Sequence, residues 1–170
     1  MNEYELNKLL EDQKYLESKI DYYKNNKIIT KQIINDEEVK GHLEKANHNL
    51  MFVNDNLKKF SDWSIVGCYY VAYHIALALI LKKGFSSKNH DATLCLLINY
   101  YYMNGLNLED IELLNKTYLD NEDILFYLES KIERERASYS SQIDFDKKNI
   151  NNLRLKTVLF VNKCKEILKE

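Results

Sequence analysis

Two of the chain's three arginines lie in one short segment, Arg134-Glu135-Arg136, whereas lysine supplies the other 21 of its 24 basic residues. Arginine carries a rigid, permanently charged set of donors that can stabilise negative charge on a phosphate. On an ideal helix these two side chains point about 200° apart, so one can face a cleft while the other makes structural contacts. Tyr139 follows at the expected helix end. The segment predicts either a phosphate-directed site or a helix terminus with surface ion pairs.

His90 and Lys88 form a second candidate site at the start of a predicted helix. Exposed amides at a helix N-terminus disfavour a protonated imidazole, so His90 is interpreted either as a contact for an anion or partner or as a surface or capping residue. His42 and His48 are six residues apart and do not share a helical face. There is no paired-cysteine zinc pattern and no glycine-rich phosphate loop. We therefore expect no metal and no cofactor.

The chain has 13 tyrosines, several of which fall in its two middle helices at Tyr69, Tyr70, Tyr73 and 100–102. Tyrosine combines a large apolar ring with a polar tip, which favours core and interface packing. A base-stacking platform is the alternative, although it would require more basic residues nearby. His74 lies in the same apolar helix and is interpreted as a hydrogen-bonded core or interface residue. We predict that Tyr69, Tyr70, Tyr73 and His74 form a dimer interface.

Helical periodicity and cap residues predict the elements that must position these side chains. Proline is absent and glycine occurs four times, so the chain has few of the residues that end helices or build hairpins. We expect an all-α domain without a sheet of consequence. The predicted helices cover residues 3–24, 36–58, 62–83, 88–103, 107–137 with a kink near 120–121, and 146–169.

The third predicted helix contains a run from Trp63 to Leu81 without any formal charge, which is long enough to span a bilayer. Its His74, Ser64, Gly67 and tyrosines are spread through the middle of the run, where lipid would disfavour polar groups. A helix that is apolar on all sides is better explained by enclosure among other helices or in a subunit interface. We therefore expect no membrane insertion.

Composition indicates one globular domain of 170 residues with a net charge of −2. That charge gives no global field for nucleic acid, so any RNA site must be local. The N-terminus lacks the pattern of a signal peptide, and Cys68, Cys95 and Cys164 are expected to be buried free thiols. A cytoplasmic location follows as an expectation.

Residues 36 to 169 resemble the HEPN superfamily of helical bundles. The run Tyr69-Tyr70-Val71-Ala72-Tyr73-His74-Ile75-Ala76-Leu77-Ala78-Leu79, which follows Trp63, is similar to a Tyr-Tyr-Ala signature of that family. Gly84-Phe85-Ser86-Ser87-Lys88-Asn89-His90 is similar to its Gly-x-x-Ser-Lys-x-His junction, and Arg136-Ala137-Ser138-Tyr139 to its Arg-x-x-Ala-Asp-Tyr helix ending. A long terminal helix completes the likeness. Residues 1–30 lie outside it, so we expect an N-terminal helical extension followed by a bundle over 31–170.

The resemblance implies an up-and-down bundle that pairs as a homodimer. Many HEPN proteins are metal-independent RNases, and others are partners of nucleotidyltransferases in toxin–antitoxin modules or act in phage defence. The RNases carry an arginine followed four to six residues later by a histidine, but no histidine follows Arg134 or Arg136. Tyr139 is a poor base because the pKa of a free tyrosine is about 10.

The leading hypothesis is therefore a dimeric, non-catalytic or weakly catalytic binding or regulatory component. The alternative is an RNase toxin with a degenerate centre of Arg134, Arg136 and Tyr139, helped by His90 or His74 brought near by dimerisation. In that case Tyr139 is also a candidate for modification by a nucleotidyltransferase partner. A third hypothesis is a sensor that binds a nucleotide in the same cleft.

Overall fold

The computed structural model describes residues 1–135 and 147–169, including their side chains except at positions 121, 123–135, 147 and 148. The described part is almost entirely helical, which confirms the predicted all-α helical bundle. Its elements in chain order are α1 (Glu3–Glu11), α2 (Gln13–Asn25), β1 (Ile29–Lys31), α3 (Asp36–Asn56), α4 (Ser61–Lys82), β2 (Phe85–Ser87), α5 (His90–Tyr101), α6 (Leu108–Glu135) and α7 (Lys147–Ile167).

Helix α4 lies at the centre of the fold and packs against α3, α5, α6, α7 and β2. Among the described residues it is the one helix long and apolar enough to cross a membrane, yet 78% of its most apolar stretch is buried inside the protein. Seven of its side chains have no solvent exposure at all, and burial of such surface is the main favourable term in folding. They are Val71, Ala72, Ile75, Ala76, Ala78, Leu79 and Ile80.

The first predicted helix is divided into α1 and α2 at Asp12. Asp12 ends α1 in an extended conformation, and its carboxylate accepts a hydrogen bond from the Tyr15 amide to cap α2. Leu9, Leu16 and Ile20 nevertheless join the main hydrophobic core, where α2 packs on α5. The prediction of one continuous helix over 3–24 was wrong in this detail because periodicity alone does not register a capping residue.

The segment after α2 forms a small antiparallel pairing in which Ile29, Thr30 and Lys31 of β1 lie opposite Ser87, Ser86 and Phe85 of β2. The hydroxyls of Thr30 and Ser86 are hydrogen-bonded at 2.7 Å. Within the described residues this is the whole sheet, so the expectation of no sheet of consequence agrees with the structure. The pairing attaches the N-terminal part of the chain to the junction between α4 and α5.

Polar caps end most of the helices where the sequence predicts an end. The Asn35 side chain accepts from the amides of Glu37 and Glu38 at the start of α3, and Gly84 follows α4 with φ +75°, a conformation that glycine adopts without strain. Asn89, instead of the predicted Ser86 or Ser87, caps α5 by accepting from the Ala92 amide. Helix α6 runs from Leu108 to Glu135 as one element, without the predicted interruption.

All three cysteines are buried free thiols, as the sequence predicts. Burial raises the pKa of Cys68 to about 11 and that of Cys95 to about 12, and it also raises the pKa of Cys164. The thiolate is the reactive form of cysteine, so these side chains serve as packing groups.

The tight contact of α3 with α4 provides a matched test at two glycines. A Cβ atom at Gly67 of α4 would lie 2.5 Å from Cγ2 of buried, β-branched Val53 of α3, whereas a Cβ at Gly41 of α3 meets nothing within 4 Å. Gly41→Ala is expected to stabilise the protein by up to about 1 kcal/mol. Gly67→Ala gains the same propensity but adds a clash worth about 1–3 kcal/mol.

Urea unfolding of both variants measures this difference. Equal free energies of unfolding for the two variants would contradict the close α3–α4 contact at Gly67.

Candidate functional site

Two histidines from neighbouring helices meet on one side of the bundle. Nδ1 of His42 in α3 lies 3.0 Å from Nδ1 of His74 in α4, a hydrogen-bonding distance, and the ring centroids are 5.2 Å apart. Because a neutral imidazole has one donor and one acceptor nitrogen, the bond requires the two rings to adopt opposite roles at Nδ1. Both side chains are half-buried. We refer to His42 and His74 as the histidine pair.

Both members of the histidine pair are held in the neutral form. Burial lowers the pKa of His74 to about 4, with further lowering by His42 and by the ammonium of Lys45. Burial also lowers the pKa of His42, and Lys45 adds to this effect while Glu38 opposes it. At neutral pH the pair therefore offers free lone pairs instead of positive charge.

An aromatic cluster fills the space between α4, α5 and α6. The ring of Tyr69 stacks on Tyr73 with a centroid distance of 5.5 Å and also contacts Tyr118 and His90. The rings of His90 and Tyr118 are nearly parallel, at 8°, with centroids 4.1 Å apart. Such arrangements add to the burial energy of the rings. The cluster explains why these tyrosines occur together in the sequence.

Hydroxyl groups satisfy the polar end of this cluster. The Tyr73 hydroxyl interacts with the side chains of Ser87 and Thr93, which are themselves hydrogen-bonded to each other. The Thr93 hydroxyl also donates to the carbonyl of Asn89 at 3.0 Å. This network joins β2 to the first turn of α5.

His90 differs from its neighbours because its polar atoms are not satisfied. Its side chain is 4% exposed, and neither ring nitrogen has a hydrogen-bond partner among the described residues. Burial lowers the pKa of His90 to about 3, and the Met1 ammonium, which lies 3.7 Å from Asp91 Oδ1, lowers it further. A buried polar group without a partner costs about 1–3 kcal/mol, so His90 is a strained position held neutral by its surroundings.

The structure separates the predicted ligand-binding residues. Lys88 is exposed, whereas His90, two residues later, is buried beneath Tyr118. Arg134 belongs to the last turns of α6, although its side chain is not among those described. Arg136 and Tyr139 lie outside the described residues. The arginine segment therefore stays a prediction.

The four predicted interface residues lie at different depths. Tyr69 is buried within the chain at 7% exposure, Tyr73 and His74 are half-buried, and Tyr70 is exposed at 42%. Of the four, Tyr70 is thus the most accessible to a partner.

An exposed aromatic face surrounds Tyr70. Trp63 and Tyr70 lie on α4 one turn either side of Gly67, and Phe52 of α3 packs against the same glycine. Their exposed fractions are 44%, 42% and 40%. The ring of Tyr70 is 6.4 Å from that of His74, so this aromatic face, defined as Phe52, Trp63 and Tyr70, adjoins the histidine pair.

Sequence reasoning missed the histidine pair. It compared His42 with His48 because both lie on one helix, but the partner of His42 is 32 residues away on the next helix. The usable signal was the short connection between α3 and α4, which makes the two helices antiparallel neighbours. Among the described residues, no group of three or more histidine, cysteine or acidic side chains is arranged to hold a metal ion.

No family model matches the chain, and no curated protein matches it significantly. The resemblance to the HEPN superfamily therefore stays a prediction that rests on the residues quoted for it.

The state of His90 predicts how stability responds to acid. An unfolded histidine has a pKa of about 6.5, and the folded value is about 3, so between these values the unfolded chain binds about one more proton at this position. The stability associated with neutral His90 is complete above pH 6.5 and is lost as the pH falls towards the folded pKa. His90→Phe, which keeps a ring beside Tyr118, should reduce the slope of unfolding free energy against pH by about 1.4 kcal/mol per unit near pH 5.

Urea unfolding between pH 4.5 and 7.5 measures this slope. The matched control is His48→Phe at an exposed site of α3, which should leave the slope near that of the unmodified chain. An unchanged slope in His90→Phe would show that His90 does not titrate as a buried neutral group.

Proposed function

We propose that this chain is a HEPN-type helical bundle that acts as a homodimeric binding or regulatory component of a toxin–antitoxin or phage-defence system in the cytoplasm. The observation that carries the dimer is the exposed aromatic face of Phe52, Trp63 and Tyr70 on the central helix pair. Aromatic residues are enriched in the cores of protein interfaces. A nucleotidyltransferase or an RNA is the partner class that the resemblance suggests.

A second copy of the chain is the occupant that best suits this face. An interface with twofold symmetry places the same patch of both copies in contact, and the aromatic face lacks formal charge, so two copies can meet without like-charge repulsion. Gly67 at its centre allows Phe52 to lie close to the α4 backbone. The face is therefore flatter than one with a side chain at that position.

A binding role is favoured over RNA cleavage by the chemistry of the histidines. An RNase of the HEPN type needs acid–base groups beside the phosphate, and no histidine follows the arginine segment. His90 is buried, and Nδ1 of His74 is engaged with His42. One observation supports the RNase alternative, because His74 is half-exposed and neutral, as a general base must be.

The dimer is tested by charge placed on the aromatic face. Size-exclusion chromatography with light scattering should give the unmodified protein a mass near twice 20.2 kDa. Tyr70→Glu should shift it to the monomer, because a carboxylate would be desolvated in the interface. The matched control is Tyr22→Glu, at an exposed tyrosine of α2, which should remain dimeric. A monomeric unmodified protein at its highest soluble concentration would exclude the homodimer.

RNA cleavage is tested without metal. The protein incubated with RNA and EDTA is expected to leave the RNA intact, because the arginine segment lacks its acid–base partner. If cleavage occurs and is lost in Arg134→Ala but retained in Arg154→Ala, the RNase alternative replaces the binding role. Arg154 is the appropriate control because its guanidinium already bonds the side chain of Asn54 at 3.0 Å.

A further inference from the structure

The two Nδ1 atoms of the histidine pair are arranged as a chelate. They are 3.0 Å apart and come from separate helices, His42 from α3 and His74 from α4. Imidazole nitrogen binds transition metals at about 2.0–2.1 Å. Two nitrogens at the observed separation, each about 2.05 Å from one ion, subtend about 95° at that ion. This is the angle between neighbouring ligands in square-planar or octahedral coordination.

We propose that His42 and His74 form a bidentate site for a divalent transition-metal ion of tetragonal preference, Cu²⁺ or Ni²⁺, with water in the remaining positions. The small angle disfavours tetrahedral Zn²⁺, whose ligands need a wider separation. Mg²⁺ and Ca²⁺ prefer oxygen ligands and are not expected to bind. The site does not depend on the proposed dimer or on the HEPN resemblance.

The surroundings of the pair suit a metal ion in two respects. Metal-binding histidine must be neutral, and burial already keeps both rings in that form near pH 7. The two rings are held by helices in close contact around Gly67 and Val53, and ligands on rigid elements are positioned more accurately than ligands on loops. When the ion binds, the proton shared between the Nδ1 atoms moves to the Nε2 position of the same ring, so both Nδ1 lone pairs become available.

The charges facing the pair set a limit on its affinity. Lys45 repels a cation, whereas Glu38, one turn before His42 on α3, attracts it. These two opposite charges lie on the same helix and largely offset each other. The histidine nitrogens therefore determine the binding.

The direct test is titration of the full chain with Ni²⁺ by calorimetry in a non-coordinating buffer at pH 7.5. We expect one saturable site per chain, tighter binding of Cu²⁺ than of Ni²⁺, and no heat with Mg²⁺. His42→Ala and His74→Ala should each weaken Ni²⁺ binding at least about tenfold, since even outer-shell changes at metal sites have effects of that size. The matched control is His48→Ala, at the exposed histidine of the same helix, which should bind as the unmodified chain does.

Electron paramagnetic resonance of the Cu²⁺-loaded protein provides a second measurement, with hyperfine coupling expected from two imidazole nitrogens. Circular dichroism of each variant without metal establishes that it is folded. Absence of saturable Ni²⁺ binding in the unmodified chain would overturn the site. Equal binding by His74→Ala and the unmodified chain, or equal loss in His48→Ala, would overturn it as well. Light scattering of the same samples keeps this result separate from the fate of the proposed dimer.

Discussion

The structure depends on removing one uncharged helix from water. From Trp63 to Leu81, α4 carries no formal charge, so its exposure along the whole length would forfeit the burial that stabilises the chain. The other elements are arranged to prevent this, with α3, α5, α6 and α7 around α4 and with α1 and α2 extending the same core beyond α5. The small β1–β2 pairing then attaches the N-terminal segment to the end of α4.

Enclosing α4 also encloses its polar groups, and each must find a partner of its own. Ser64 bonds the carbonyl of Phe60 one turn earlier, and Tyr73 uses the hydroxyls of β2 and α5. His74 finds the ring of His42 on the adjacent helix. Buried polar groups are generally paired in this way because an unmade hydrogen bond is costly. His90 lacks such a partner among the described residues, so its environment is the exception.

The sequence was sufficient to predict the parts of the fold that depend on composition along one helix. The uncharged run predicted a buried helix, Gly84 predicted its end, and Asn35 was one of two residues predicted to cap α3. The cysteines were correctly predicted to be buried because each occurs in an apolar helical stretch. All of these features depend on nearby residues, and helical periodicity reports them directly.

Features that depend on the alignment of distant residues could not be predicted in the same way. The β1–β2 pairing joins residues more than fifty positions apart through strands of three residues, which are too short to show an alternating pattern. The contact of His42 with His74 requires the register of α3 against α4, and the burial of His90 requires Tyr118 of α6 to cover it. The division of α1 from α2 depends on one carboxylate, that of Asp12, within an otherwise continuous apolar pattern.

The position of the histidine pair beside the aromatic face links the two proposals of binding. The ring of Tyr70 lies 6.4 Å from that of His74, so a second copy on the aromatic face would approach the coordination positions that water occupies around an ion. Two ligands that affect the same surface must change each other's affinity by the same factor. If a group of the second copy replaces one of those waters, the ion strengthens the dimer and the dimer strengthens the ion site. If the second copy only excludes the water, each binding event opposes the other. The sign of this coupling therefore reports whether the pair lies inside the interface or at its edge.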